Sequence, residues 1–450
     1  MLCKFCNAEI EDDRLYCPIC GKRQDVEINK EGQTQKPAQK GDWKLIAGVA
    51  AVLAVACLLA VAFMTGRKDN PGAGQGTTAT TTETTAPLIT APESEYSQHA
   101  GIVVAKMMDT ELTNDVLQMF YMTTINSFLE DYGTSLNYLG LDMEKPLSEQ
   151  AYPSYDQEGG TTIETWEDFF LELALERWKN CVGVCTIAEQ NGFRLDEEWT
   201  KLINEQMDSL EVMAKENNYE SADAMIKTFY GDCCSVETYK TFLTMDSTAK
   251  AFYYTLYEVT DVQIEECFLE NEATLKEEGI TKTSGIVSNV RHILIAPEGG
   301  TTDAEGNTTY TDAEWEACKQ KAEQVLGEWE ENATEENFSA LVKKYTADTA
   351  SASTGGLYEG ITRDSSYVEE FRAWAVDTSR KEGDTGLVKT IFGYHIMYYV
   401  GGEAEWIYYG RGLQQEKNLA AMEEQLKKLL EENPAEVSRD LILMQNAYAR

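Results

Sequence analysis

Two of the three histidines in this 450-residue chain, His292 and His395, lie at opposite ends of one segment, residues 288–402. Each sits in a short apolar run rich in β-formers: Val290-Arg291-His292-Ile293-Leu294-Ile295 and Phe392-Gly393-Tyr394-His395-Ile396. Such runs predict strands. A histidine on a buried strand needs a polar partner, so the two are expected to share one polar network. A second constellation is Cys3-x-x-Cys6 followed by Cys17-x-x-Cys20. Two such knuckles can offer four thiolates to one tetrahedral Zn²⁺. Four sulfur ligands close the metal's shell, so this Zn²⁺ would be structural. The segment is too short to fold without it.

The elements that must position the histidines follow from pattern. The spacing predicts a strand over Val290–Ile295, a loop over Pro297–Thr311, and helices over Asp312–Glu330 and Glu335–Tyr345. A loop carrying Asp348 comes next, then a strand from Gly355-Gly356-Leu357, a helix over Tyr367–Val376, and strands over Gly386–Val388 and Tyr394–Val400. Upstream, residues 96–285 read as helical, with helices over Thr165–Gln190, Leu195–Glu216, Ala222–Tyr230, Ser235–Tyr257 and Val262–Glu278, the last capped by Asp261. Leu413–Glu432 reads as one long helix that folds back onto this region.

Four pieces of the segment, taken in order, resemble the parvulin (PpiC-type) family of peptidyl-prolyl isomerases. They are Arg291-His292-Ile293-Leu294, then Asn337-Phe338-Ser339-Ala340-Leu341, then Tyr345-Thr346-Ala347-Asp348 leading to Gly355-Gly356-Leu357, and finally Lys389-Thr390-Ile391-Phe392-Gly393-Tyr394-His395-Ile396. With a helical region before and a helix after, the outer part is similar to the PrsA/SurA type of extracytoplasmic foldase. The resemblance implies an α+β domain with a four-stranded antiparallel sheet, beside a mainly α chaperone domain. It implies isomerisation of X–Pro bonds with no cofactor. His292 and His395 would form the central pair, Thr390 would hydrogen-bond into it, and Asp348 would face the substrate carbonyl. Leu357, Phe371, Tyr367 and Phe392 would line the substrate side, Tyr367 standing where many parvulins carry methionine or leucine. The loop Tyr358–Ser366 is longer than usual. No Lys or Arg lies between His292 and Lys319, so no phosphate on the substrate is required.

The formal net charge of −39 excludes nucleic acid as a partner. Basic and acidic side chains balance in residues 1–44, so the whole excess lies beyond them. Leu45–Met64 carries no charge and has the length to cross a hydrocarbon core of ~30 Å. Lysine and arginine are denser before it than after it, which places the N-terminus in the cytoplasm and the isomerase segment outside the cell membrane. Ala54-Val55-Ala56-Cys57 has the small residues of a lipoprotein signal but lacks a leucine three before the cysteine. The expected organisation is a zinc ribbon (1–24), a basic juxtamembrane segment (25–44), a single span (45–64), and a flexible Thr/Pro-rich linker (65–95). A helical chaperone domain (96–285), the isomerase domain (286–402) and a C-terminal helical segment (403–450) follow.

The partners expected are unfolded or newly secreted polypeptides containing X–Pro bonds, together with an unidentified cytoplasmic partner of the ribbon. A holdase with an inactive parvulin scaffold stays open, as does a transmembrane sensor signalling to the ribbon. Cys181, Cys185, Cys233, Cys234, Cys267 and Cys318 could be disulfides or buried thiols.

Overall fold

The computed structural model describes residues 88–89, 94–133, 136–153, 163–303, 306 and 308–449. The four ribbon cysteines, the apolar run Leu45–Met64 and most of the linker lie outside the described residues. Among the described residues no helix is long and apolar enough to cross a membrane. The chain divides into two compact units. Glu258–Asn418 belong to one; the described residues before Glu258 and those from Leu419 onward belong to the other.

Near its start, after a single helical turn at Glu95–Gln98, the second of these units has a hairpin, β1 (Val103–Met107) and β2 (Thr110–Thr113), that the sequence reading missed within its helical region. Five longer helices follow: α1 (Asn114–Tyr132), α2 (Trp166–Gln190), α3 (Glu197–Glu216), α4 (Ala222–Tyr230) and α5 (Val236–Thr255). Their starts are set by caps. Thr165 and Asp168 form a reciprocal capping box on α2, and the Asp196, Ser221 and Ser235 side chains each accept a backbone N–H of the helix that follows. Phe120, Phe170, Trp178 and Phe242 lie in one apolar core. The linker is not wholly free: the Ile89 N–H donates to the Asn218 carbonyl and the Ile89 carbonyl accepts from the Glu220 N–H, both at 3.0 Å.

In the other unit, two short helices, α6 (Asp261–Glu270) and α7 (Glu272–Glu277), replace the single helix expected over Val262–Glu278. Thr260, not Asp261, is the cap of α6, its hydroxyl accepting from the Gln263 N–H. The sheet is built from β3 (Ile286–Ile295), with the small hairpin β4 (Thr301–Thr302) and β5 (Thr308–Thr309) set in the loop after it. Then come α8 (Asp312–Glu330), α9 (Glu335–Tyr345), β6 (Leu357–Ile361), α10 (Glu369–Ala375), β7 (Thr385–Thr390) and β8 (Gly393–Ala404). Every pairing in the order β6-β3-β8-β7 is antiparallel. Side chains alternate across a strand. Ile293, Ile295, Ile396 and Tyr398 therefore pack with Val325, Trp329 and Phe338 of α8 and α9, whereas Val290, Met397 and Tyr399 pack with Phe371 and Trp374 of α10.

The boundary expected between residues 285 and 286 falls instead at Glu258, because Ile264, Phe268, Leu275 and Ile280 form a core with Ala404, Trp406 and Ile407. The latter two open α11 (Glu405–Glu432), which begins well before Leu413. The unit division runs through α11 at Asn418. Beyond it, Met422 packs with Val184, Ile187 and Phe252, and β9 (Glu436–Val437) pairs antiparallel with β1.

Candidate active site

The register of β3 against β8 pairs His292 with Met397 and Leu294 with His395. Both histidines therefore emerge on the α10 side of the sheet, two residues out of step, and their Nδ1 atoms meet at 2.9 Å. Both are almost fully buried. His292 Nε2 lies 2.9 Å from Asp348 Oδ2, and His395 Nε2 lies 2.9 Å from Thr390 Oγ1. An ionised Asp348 can only accept, so the network assigns its own protons. His292 Nε2–H donates to Asp348, which leaves His292 Nδ1 bare to accept from His395 Nδ1–H. His395 Nε2 is then bare and accepts the Thr390 hydroxyl. Thr390 Oγ1 in turn accepts the Phe392 N–H at 3.1 Å.

The electrostatics agree with two neutral rings. Burial holds His292 below its ordinary value against the opposing pull of Asp348. Burial, then the neighbouring His292, pushes His395 down to about 4. For Asp348, burial works upward, but hydrogen bonds from Ser351, His292 and Tyr358 outweigh it and bring the carboxyl down to about 2. Three donors converge on Oδ2: His292, the Ser351 hydroxyl at 2.5 Å and the Tyr358 hydroxyl at 2.9 Å. Oδ1 accepts the Ala350 N–H. Tyr358 is pushed up to about 12, first by burial and then by its bond to Asp348.

The backbone delivers these groups. Ala347 N–H donates to the Leu294 carbonyl and Leu294 N–H to Thr346 Oγ1, which fastens the Asp348 loop along β3. Gly356, at φ +75, accepts the His292 N–H through its carbonyl, and a Cβ there would come within 2.4 Å of the His292 carbonyl oxygen. Arg291, on the opposite face, donates to Glu335 and to the Thr354 and Gly355 carbonyls. It thereby holds the turn that leads into β6.

Aromatic edges wall the network. Phe371 is buried, with its ring centroid 5.3 Å from His292 and 5.4 Å from His395. Tyr358 lies 5.2 Å from His292, and Tyr367 lies 5.4 Å from Tyr358 and 5.5 Å from Phe371. The structure thus brings together His292, Asp348, His395, Thr390, Phe371 and Tyr367. It does not bring Leu357 to them. Leu357 pairs with Arg291 and Tyr358 with Val290, so alternation places Tyr358, and not Leu357, on the histidine face. Phe392 is 55 % exposed at the β7–β8 turn beside Ile391, which is 75 % exposed. Only its backbone joins the network. Tyr358 and Ser351 were missed from sequence. A serine three residues after an aspartate is a weak signal, and Tyr358 was lost to a one-residue error of face.

Among the described residues no cluster of three or more His, Cys, Asp or Glu could hold a metal ion. All six cysteines beyond the apolar run are free thiols.

Residues 275–400 match the PPIC-type PPIASE domain family. This segment is a parvulin-type domain. The match begins before the expected start at residue 286 and takes in part of α7. The chain is also similar to the foldase protein PrsA of Latilactobacillus sakei subsp. sakei (strain 23K), at 35% identity over 80 residues. That alignment covers 18% of this chain and 26% of the relative. The foldase protein PrsA 1 of Listeria innocua is 25% identical over 215 residues, covering 40% of this chain and 69% of its own length. The crystal structure of PrsA from Bacillus subtilis aligns with 60% of this chain and 88% of its own at 18% identity, with a TM-score of 0.26, too loose to support an argument. The matched family is one of peptidyl-prolyl isomerase domains.

Proposed function

We propose that this chain is a membrane-anchored, extracytoplasmic prolyl isomerase and foldase that acts on unfolded or newly secreted polypeptides. The observation that carries the reading is the unbroken line Thr390–His395–His292–Asp348, walled by Phe371 and Tyr358, inside the matched domain.

Rotation about an X–Pro amide breaks no σ-bond. Its barrier of ~18–20 kcal/mol is the loss of amide resonance, and the uncatalysed event takes tens to hundreds of seconds. A catalyst need only bind the twisted amide better than the planar one. Twisting removes charge from the carbonyl oxygen, so the twisted form is the less polar and an apolar seat favours it. The edges of Tyr358, Phe371 and Tyr367 offer that seat to a pyrrolidine ring. All four ring nitrogens of His292 and His395 are committed within the line. The histidines therefore act by shape and fixed dipoles, not by moving a proton to or from the substrate.

Leu45–Met64 is proposed as the membrane span, with the N-terminus in the cytoplasm. Cys3, Cys6, Cys17 and Cys20 are proposed to hold a structural Zn²⁺ in a ribbon with its own cytoplasmic partner. One observation favours a second reading, a holdase with a silent parvulin scaffold: Asp348 Oδ2 already receives three donors, so it is not open to a substrate.

The test is isomerisation of a short X–Pro peptide by the full chain. Activity that falls at least tenfold in both Phe371→Ala and His292→Ala, with both variants still folded, supports the enzyme. A folded wild type with no rate above background leaves the holdase.

A further inference from the structure

Asn114 and Gln118 lie one turn apart on α1, and both side chains are buried. Each also braces its own surroundings, Asn114 Nδ2 donating to the His99 carbonyl and Gln118 Nε2 to the Tyr230 carbonyl. Their main partners are elsewhere. Asn114 Nδ2 donates to the Leu441 carbonyl at 2.9 Å, and its Oδ1 accepts the Leu443 N–H at 3.1 Å. Gln118 Nε2 donates to the Gln445 carbonyl at 2.7 Å, and its Oε1 accepts the Gln445 N–H at 2.9 Å. Two carboxamides on one helix face thus bond the main chain at every second residue, 441, 443 and 445, as a neighbouring strand would.

The segment they hold forms no helix or strand of its own over residues 442–446. Within residues 441–449 Met444 and Ala447 are the buried residues. The Gln445 side chain reaches Asp232 from both ends: Oε1 accepts the Asp232 N–H and Nε2 donates to its carboxylate. Asn446 donates to the Met143 carbonyl and Tyr448 to Asn126. The grip therefore joins four bonds to the backbone with apolar seats under Met444 and Ala447, flanked by Ile442 and Tyr448, and a polar seat at Gln445.

We propose that this face of α1 is a binding groove for extended polypeptide, which the chain's own residues 441–449 fill until an unfolded segment displaces them. Carboxamides that bond only N–H and C=O groups do not discriminate among side chains, so the groove suits an extended strand that carries apolar residues at the Met444 and Ala447 seats. The Asp232 carboxylate favours an amide or a cation at the Gln445 position. The groove itself follows from the geometry above; that clients are its ligands rests on the foldase reading.

Two measurements test it. In a chain ending at Ser438, a labelled peptide of residues 440–449 is expected to bind, and the same peptide N-methylated at Leu443 and Gln445 to bind at least tenfold more weakly. Equal binding of the two peptides, or none by a folded truncated chain, overturns the proposal. In the full chain, which does not depend on the truncated form folding, hydrogen exchange at Leu443 and Gln445 is followed while a reduced, proline-free unfolded polypeptide is added. Exchange at both amides is expected to rise at least tenfold, whereas unchanged exchange with the polypeptide bound overturns the proposal. A polypeptide that does not bind at all, beside a peptide that does, overturns the foldase reading and leaves the groove standing.

Discussion

His292 and His395 share a single proton between two Nδ1 atoms 2.9 Å apart, and that bond fixes the tautomer of every other group in the line. A proton added to His292 would place two N–H groups against each other, and one added to His395 would take Nε2, turn the Thr390 hydroxyl away and put a charge in a buried site. The fold therefore depends on both histidines remaining neutral, which makes acid its weak point.

An unfolded histidine takes up a proton near pH 6.5, whereas His395 in the folded chain does so only near pH 4. Between those values the unfolded chain holds more protons than the folded one, so acid favours unfolding. Stability contributed here is fully present above about pH 6.5 and is lost as pH falls towards 4, by about 3 kcal/mol for His395 alone. Asp348 adds a further loss only below pH 4, since its pKa moves from 3.8 down to about 2. Urea midpoints measured from pH 8 to pH 4 should show this slope, and His395→Asn should flatten it. Equal slopes in the two proteins would sink the assignment of neutral rings. Isomerase activity should likewise hold steady through pH 6.5 and decline only towards 4.

Thr390→Val removes the hydroxyl that donates to His395 Nε2 and accepts the Phe392 N–H. It leaves a buried ring nitrogen without a donor, at a cost of about 1–3 kcal/mol. Thr390→Ser keeps the hydroxyl and should recover most of that loss. Equal destabilisation by valine and serine in chemical unfolding would show that the methyl group, not the hydrogen bond, matters.

Much of this site was legible because its parts are short runs with strong local signals. Asp312–Glu330 and Glu335–Tyr345 carry capping threonines at Thr311 and Thr334 and were read to the residue. What failed was register. Calling Leu357 the pocket residue needed the parity of β6 relative to β3, and parity is set by a tertiary pairing, Val290 with Tyr358, that one strand's sequence does not contain. The β1–β2 hairpin was missed for a local reason. Its turn has no Asn-Gly or Gly signal; Met108 itself adopts φ 53. The start of α11 was obscured because Trp406-Ile407-Tyr408-Tyr409 has strand-like composition, and burial of Trp406 and Ile407 against Ile264 and Phe268 overrides it.

Tyr358→Phe separates the tyrosine's two roles. The ring that meets His292 and Phe371 remains, while the hydroxyl bond to Asp348 is lost. The Asp348 pKa should rise from about 2, because one of the three bonds that lower it is gone. Carboxyl chemical shifts followed by pH titration report this directly. If the hydroxyl ties up a carboxylate that a substrate would otherwise use, peptide isomerisation should increase two- to tenfold. A carboxyl pKa unchanged by the substitution would mean that Tyr358 does not hold Asp348.

Gly356→Ala tests whether the site depends on backbone approach. A Cβ at this position would stand 2.4 Å from the His292 carbonyl oxygen, on a backbone with φ +75 that alanine disfavours. Neither the strand nor the turn can yield without moving His292 from the Nδ1 contact. Left-handed strain for a residue with a Cβ costs about 1–2 kcal/mol, and the clash adds to it. The substitution should therefore lower the unfolding midpoint by more than Gly327→Ala, which meets nothing within 4 Å. It should also lower isomerase activity under conditions where the chain is still folded, because His292 carries the displacement into the aromatic wall. A stable Gly356→Ala protein with full activity would show that β6 and β3 are not held as closely as the His292 N–H bond to the Gly356 carbonyl implies.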